Sequence, residues 1–252
     1  MPNSLAFISG ASSGIGMAIA RKFASEGINL IISARREERL QALADELKSK
    51  FGIAAHTLVL DVRNREDVLQ QIGQLPAALQ NIDILINNAG LASGLGPMHE
   101  GDIDDWEKMI DTNVKGLLYV SRAIAPLMKA REKGLIINIG SIAGKEVYAN
   151  GNVYCATKHA VDALSKAMRI ELSAFGVKVG QICPGAVETE FSVVRFHGDK
   201  ERADKVYEGF DNLLAEDIAD AAWFMASRPG HVNINDMVIM PTAQPIASII
   251  HR

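Results

Sequence analysis

Residues 5–16 read Leu5-Ala6-Phe7-Ile8-Ser9-Gly10-Ala11-Ser12-Ser13-Gly14-Ile15-Gly16. The apolar run Leu5–Ser9 has the look of a strand buried on both faces. Ile15, Ile19, Ala20 and Phe23 then recur at helical spacing through Gly14–Glu26. Between strand and helix stand three glycines, at 10, 14 and 16. Glycine permits a tight turn and a close backbone approach, and the helix that follows presents unpaired N–H groups and a positive dipole end. A strand, such a loop and a helix together make a cradle for a diphosphate.

The same alternation continues along the chain. Strands are expected over Asn29–Ser33, His56–Leu60, Asp83–Ile86, Leu135–Ile139, Lys178–Ile182 and Met237–Met240. Helices are expected over Glu37–Lys50, Asp67–Leu79, Asp105–Lys129, Val153–Phe175 and Glu216–Ser227. This pattern predicts an α/β fold, a Rossmann-type doubly wound parallel sheet of about seven strands with helices on both faces. No linker-like composition interrupts it, so residues 1–252 are expected to form one dinucleotide-binding domain. The stretch 185–212 lacks a clear period and is expected to be the substrate loop.

The 252 residues are 48% hydrophobic and 22% charged, with a formal net charge of −4. These values exclude a disordered or fibrous chain, and the charge argues against a nucleic-acid binder. No apolar run is long enough to span a membrane. Cys155 and Cys183 are the only cysteines, too few for a disulfide framework. With no basic segment leading into an apolar one at the start, a cytoplasmic setting is expected.

The spacing G-x-x-x-G-x-G, together with Asn87-Asn88-Ala89-Gly90, Ser141, Tyr154-Cys155-Ala156-Thr157-Lys158 and Pro184-Gly185 followed by Thr189, resembles the short-chain dehydrogenase/reductase family in motif order over essentially the whole chain. The resemblance implies a nicotinamide dinucleotide cofactor. It assigns cofactor contacts to Gly10, Ser12, Ser13, Gly14, Ile15, Asn88, Tyr154, Lys158, Pro184, Gly185, Val187 and Thr189, with Asp61-Val62 as the adenine-contacting pair. It also adds Asn113 to the catalytic set, as holder of a water that links the lysine to solvent.

An acidic residue about 20 positions past the glycines selects NAD in dinucleotide folds. Here the second strand ends in Ser33-Ala34-Arg35-Arg36. A guanidinium binds a 2′-phosphate where a carboxylate would repel it, so the expected cofactor is NADP(H), held by Arg35 and Arg36. The competing reading leaves both arginines solvated at a helix entrance beside Glu37 and Glu38.

Tyr154 and Lys158 are four apart and share a helix face. A phenol with a pKa near 10 is a poor base at neutral pH. A cation about 6 Å away supplies roughly 3 kcal/mol at an effective dielectric near 20, so Lys158 and an oxidised nicotinamide are expected to bring the phenol into range. Ser141 follows the fifth strand, where its hydroxyl can donate to a substrate oxygen as charge develops. No metal site is expected, since histidines and carboxylates do not cluster at ligand spacing.

The whole chain, including Phe191–Asp199 and 232–241, is similar to the family's NADP-dependent 3-hydroxy acid dehydrogenases, which implies action on serine, L-allo-threonine and malonic semialdehyde. The branch implies a small-molecule substrate, and the family implies a homotetramer. A small acid needs a cation for its carboxylate; Arg195 is the first candidate and Lys145 the second. A solvent-facing arginine on a loop is the competing reading of Arg195. Two other functions stay open: a broad carbonyl or 3-ketoacyl reductase with the same chemistry, and a nucleotide-sensing protein that has kept the fold alone.

Overall fold

A computed structural model describes residues 4–252. Seven parallel strands form one sheet in the order β3-β2-β1-β4-β5-β6-β7. They are β1 Leu5–Ser9, β2 Asn29–Ala34, β3 Ala55–Val59, β4 Ile84–Asn87, β5 Gly134–Ile139, β6 Val177–Pro184 and β7 Asp236–Ile239. The helices are α1 Gly14–Ser25, α2 Glu37–Phe51, α3 Arg65–Gly73, α4 Ile103–Ile110, α5 Leu117–Ala130, α6 Asn152–Leu172, α7 Phe191–Arg195, α8 Lys200–Asp204 and α9 Ala215–Ala226. The chain leaves β1 in both directions, and the order reverses between β1 and β4. That switch point opens a crevice at the carboxyl ends of the strands.

Central strands are mostly apolar because helices cover both faces. Ala6, Ile8, Leu30, Ile32, Ile84 and Ile86 pack into the layer holding α1, α2 and α9. Leu5, Phe7, Ile31, Leu85 and Ile136 pack into the layer holding α3 and α5. Full burial of such a side chain contributes about 1.5–3 kcal/mol. The edge strand β3 is covered less, and His56, Thr57 and Val59 are exposed.

Two expected helices and the expected loop differ from what the structure shows. The stretch expected as one helix over Asp105–Lys129 is α4 and α5 joined by a π-helical stretch, Asp111–Gly116. The wider turn rotates Asn113 inward, where it is 2% exposed. The helix expected to reach Leu79 ends at Gly73; Pro76 cannot continue it, and a 3-10 turn follows over Ala77–Leu79. The stretch 185–212 is not featureless, since α7 and α8 lie within it. Asp199 caps α8 by accepting a hydrogen bond from the Arg202 amide at 3.0 Å.

Polar side chains inside the sheet register α5 and α6. Asn87 Nδ2 donates to Ser121 Oγ on α5 and to Asn138 Oδ1 on β5, each at 2.9 Å. Asn138 Nδ2 donates to Ser165 Oγ on α6 at 2.9 Å. Asn138 is fully buried, so its removal strands polar groups on both neighbours. Asn138→Leu is expected to lower the unfolding free energy by about 2–3 kcal/mol, read as a fall in the urea midpoint at constant m-value.

Candidate active site

The glycine loop closes on the fourth strand. Gly10 has φ +68°, and a Cβ there would lie 2.8 Å from Ala89 Cα. Gly16 has no room for a side chain either, being pressed against Asn88 and the Gly10 carbonyl. Asn88 Nδ2 donates to the carbonyls of Ser9 and Gly10, both at 3.0 Å. Ser9 Oγ accepts from the amides of Asn88 and Ala89 at 3.1 Å. Ser13 at the α1 N-cap makes no side-chain cap bond, so the first amides of α1 remain open to an anion.

A cavity of about 490 Å³ runs from this loop along the strand ends. Gly10, Ser12, Ser13, Gly14 and Ile15 line its phosphate end, with Arg35, Arg36, Asp61 and Val62 beyond them. Asn88, Ser141, Tyr154 and Lys158 line the middle. Pro184, Gly185, Val187 and Thr189 close it from β6, and Arg195 reaches it from α7. Thus every residue expected from sequence at the cofactor or substrate lines one cavity, save Asn113 and the second carboxylate candidate, Lys145.

Asn113 holds the site together through its side chain. Its Oδ1 accepts from the Leu91 amide at 2.8 Å, and its Nδ2 donates to the Leu91 carbonyl at 2.8 Å and Thr157 Oγ1 at 3.0 Å. Both amide hydrogens are therefore spent on protein partners. The π-helical stretch, the loop after β4 and α6 are clasped at one point.

Tyr154 and Lys158 are buried at the start of α6. Lys158 Nζ donates to the Ile139 carbonyl at 2.9 Å and lies 5.9 Å from the Tyr154 ring centroid. That distance is the expected one, but the expected effect is incomplete. Burial pushes Tyr154 well above the ordinary phenol value, reinforced by Tyr148 and opposed by Ser141 and Arg195. Burial also pushes Lys158 down to about 8. Lost hydration opposes each charged form by more than a single cation at this distance supplies, a term that spacing along a helix does not reveal. Ser141 Oγ accepts from the Ala143 amide at 3.1 Å, which fixes the hydroxyl at the end of β5.

Arg195 and Lys145 part company here. Arg195 Nε donates to the Gly94 carbonyl at 3.3 Å. Its guanidinium lies 5.6 Å from the ring centroids of both Tyr148 and Tyr154. Its Nη2 is buried with no hydrogen-bond partner among the described residues. Lys145 is not available to a substrate. Its ammonium is bonded to Asp162 at 2.5 Å and to Asp236, and Lys145 does not line the cavity. Burial would push Asp162 up, but bonds from Lys145, Lys166 and Gln181 hold it down to about 2.

Asp61 too is committed, receiving a fork from Arg63 Nε at 3.0 Å and Nη2 at 2.6 Å. The thiols stand outside the chemistry: Cys155 is buried beside Tyr154, and burial pushes Cys183 up to about 12. Sequence reasoning missed Glu190, Arg39, Tyr148 and Gln244. Glu190 bonds Arg36 and Arg39, and Gln244 Oε1 accepts from the Ala186 amide at 2.8 Å. None belongs to a spaced motif, although Tyr148 and Glu190 fall in the stretches 145–151 and 185–212 from which substrate choice is expected.

The short chain dehydrogenase family profile matches residues 4–199. The NADP-dependent 3-hydroxy acid dehydrogenase of Salmonella typhi is 49% identical over 250 residues, covering 98% of this chain and 99% of that protein. Sulfoacetaldehyde reductase 2 of Chromohalobacter salexigens is 43% identical over 241 residues, covering 95% of each. The solved closed form of serine dehydrogenase complexed with NADP+ is similar at a TM-score of 0.92 and 46% identity, covering 98% of this chain and 99% of that one. Motif order, sheet order and a single cavity holding the serine, tyrosine and lysine agree with these likenesses: the chain belongs to the short-chain dehydrogenase family.

Proposed function

We propose that this chain is an NADP(H)-dependent oxidoreductase acting reversibly at the 3-hydroxyl or 3-oxo carbon of small 3-hydroxy acids. Serine, L-allo-threonine and the 3-hydroxypropionate/malonic semialdehyde pair are its substrate type. The carrying observation is Arg195, whose Nη2 is buried without a partner beside the Tyr154 ring. A buried guanidinium N–H group without an acceptor is costly unless one answers it. A substrate carboxylate is an acceptor of the right charge and geometry. The relatives named for 3-hydroxy acids, serine and sulfoacetaldehyde support the reading.

The residues present fit a phosphorylated dinucleotide. The bare amides of α1 and the crowded Gly10 backbone suit a diphosphate, and the Arg35-Arg36 pair suits a 2′-phosphate. When bound, the cofactor supplies the hydride-accepting carbon and a positive charge. Tyr154 Oη collects the alcohol proton, and the Ser141 hydroxyl donates to the substrate oxygen. The Lys158 ammonium, anchored on Ile139, keeps positive charge beneath the phenol. Asn113 positions Leu91 and Thr157 around that pair. Residues 1–252 act as one unit, with 185–212 as the substrate loop. Exposed Ile110, Leu118 and Ile170 on the long helices support subunit contacts in a homotetramer. No helix among the described residues is long and apolar enough to cross a membrane.

Steady-state kinetics with L-serine and NADP+ against NAD+ test the reading, with NADP+ expected to be favoured. Arg195→Met is expected to raise KM for L-serine about 10- to 100-fold, the worth of a charge-assisted hydrogen bond. KM for an uncharged alcohol of similar size should stay within about threefold, because it never used that bond. Equal rises for both would instead favour a broad carbonyl reductase.

The pH dependence follows from the Tyr154–Lys158 pair. Burial lowers Lys158 to about 8 and raises Tyr154, so the pair releases its first proton near pH 8. A proton has to leave before the pair accepts the alcohol's, so oxidation strengthens as pH rises. For 3-hydroxypropionate, which does not titrate in this range, kcat/KM is expected to climb about tenfold per pH unit and level above an inflection near 8. A flat profile from about pH 6 to 9 would refute the assignment. Tyr154→Phe is expected to lower kcat by about 10³-fold with little change in cofactor affinity.

A further inference from the structure

Glu190 follows Thr189 and immediately precedes α7, but its carboxylate is engaged at the other end of the cavity. It accepts from Arg36 Nη1 at 3.0 Å and from Arg39 Nη1 at 2.7 Å. Arg36 is otherwise held by Ser12 Oγ at 3.2 Å through Nε and by Ser13 Oγ at 2.7 Å through Nη2. All three guanidinium nitrogens of Arg36 are therefore bonded within the chain. Arg36, Ser12, Ser13 and Glu190 all line the cavity. A phosphate monoester approaching this arginine meets the one carboxylate in the local cluster of Arg35, Arg36, Arg39 and Glu190. It carries the charge that Glu190 already carries and seeks the same N–H groups.

We infer that Glu190 is a specificity-determining residue for the cofactor, an internal counter-ion that a 2′-phosphate displaces from Arg36 and Arg39. The inference rests on the NADP(H) reading above and adds two consequences. Phosphate affinity is set by a competition inside the chain as well as by the arginine count. Displacement also acts on the segment that carries the substrate contacts, since Phe191 lies edge-on to Tyr154 at 5.7 Å and Arg195 ends the same helix. Occupation of the phosphate end thereby bears on where the substrate's cation is held.

The test uses two cofactor fragments that lack the nicotinamide, 2′,5′-ADP and 5′-ADP, titrated calorimetrically into wild type, Glu190→Gln and Arg36→Met. Glu190 is half exposed and Gln keeps its shape, so folding is preserved and checked by the thermal midpoint. Glu190→Gln is expected to bind 2′,5′-ADP about five- to tenfold more tightly, the effect of removing one nearby like charge at a partly exposed site. Its affinity for 5′-ADP should stay within about twofold, since no charge at the 2′ position is involved. Unchanged 2′,5′-ADP binding would overturn the inference. Weaker binding would overturn it too, by showing that Glu190 orders the arginines for the phosphate. Failure of the cofactor reading looks different: wild type would bind both fragments equally, and Arg36→Met would alter neither.

Discussion

An ammonium group buried on one backbone carbonyl governs the architecture of this site. Lys158 Nζ is bonded to Ile139 O at the end of β5, and the structure around it leaves no space for alternatives. A Cβ on Gly144 would meet the Lys158 carbonyl at 2.6 Å, far inside contact distance. The end of β5 and the first turns of α6 are thus fitted to one another around a cation. The burial that fixes this cation also weakens its hold on its proton, as it does the readiness of Tyr154 to give one up. A rigid, dry proton site and a compliant one are different things, and here the fold favours rigidity.

The remaining charges are arranged by how completely the chain satisfies them. Lys145, Asp162, Lys166, Gln181 and Asp236 form a network outside the cavity lining, pinning the turn after Ser141 to α6 and β7. Arg36 and Arg39 are satisfied by Glu190, but half-exposed, where a stronger anion can replace it. Arg195 keeps one nitrogen unsatisfied.

Much of this was legible in the chain. Continuous apolar runs in Leu5–Ser9 and Leu135–Ile139 marked central strands, because a strand covered on both faces has no polar side. The glycines at 10, 14 and 16 and the Tyr154–Lys158 spacing are local, and local patterns survive translation into structure. The interruption at Asp111–Gly116 did not show, since no residue there forbids an α-helix. The π turn comes from Asn113 reaching Leu91 and Thr157, 22 and 44 positions away. Sequence ranked Arg195 ahead of Lys145 as the carboxylate's cation, and their neighbours, two aromatic rings against Asp162 and Asp236, separate them in the fold.

The amino-acid order by itself determined the sheet class, the phosphate loop and the helix face shared by phenol and amine. Each depends on periodicity or on neighbours within a few residues. Tertiary structure alone decided which cations are free, how far burial displaces Tyr154 and Lys158, and that Glu190 meets Arg36 across 154 positions. Solvation and ion pairing depend on distances between segments remote in the chain, and no local spacing encodes them.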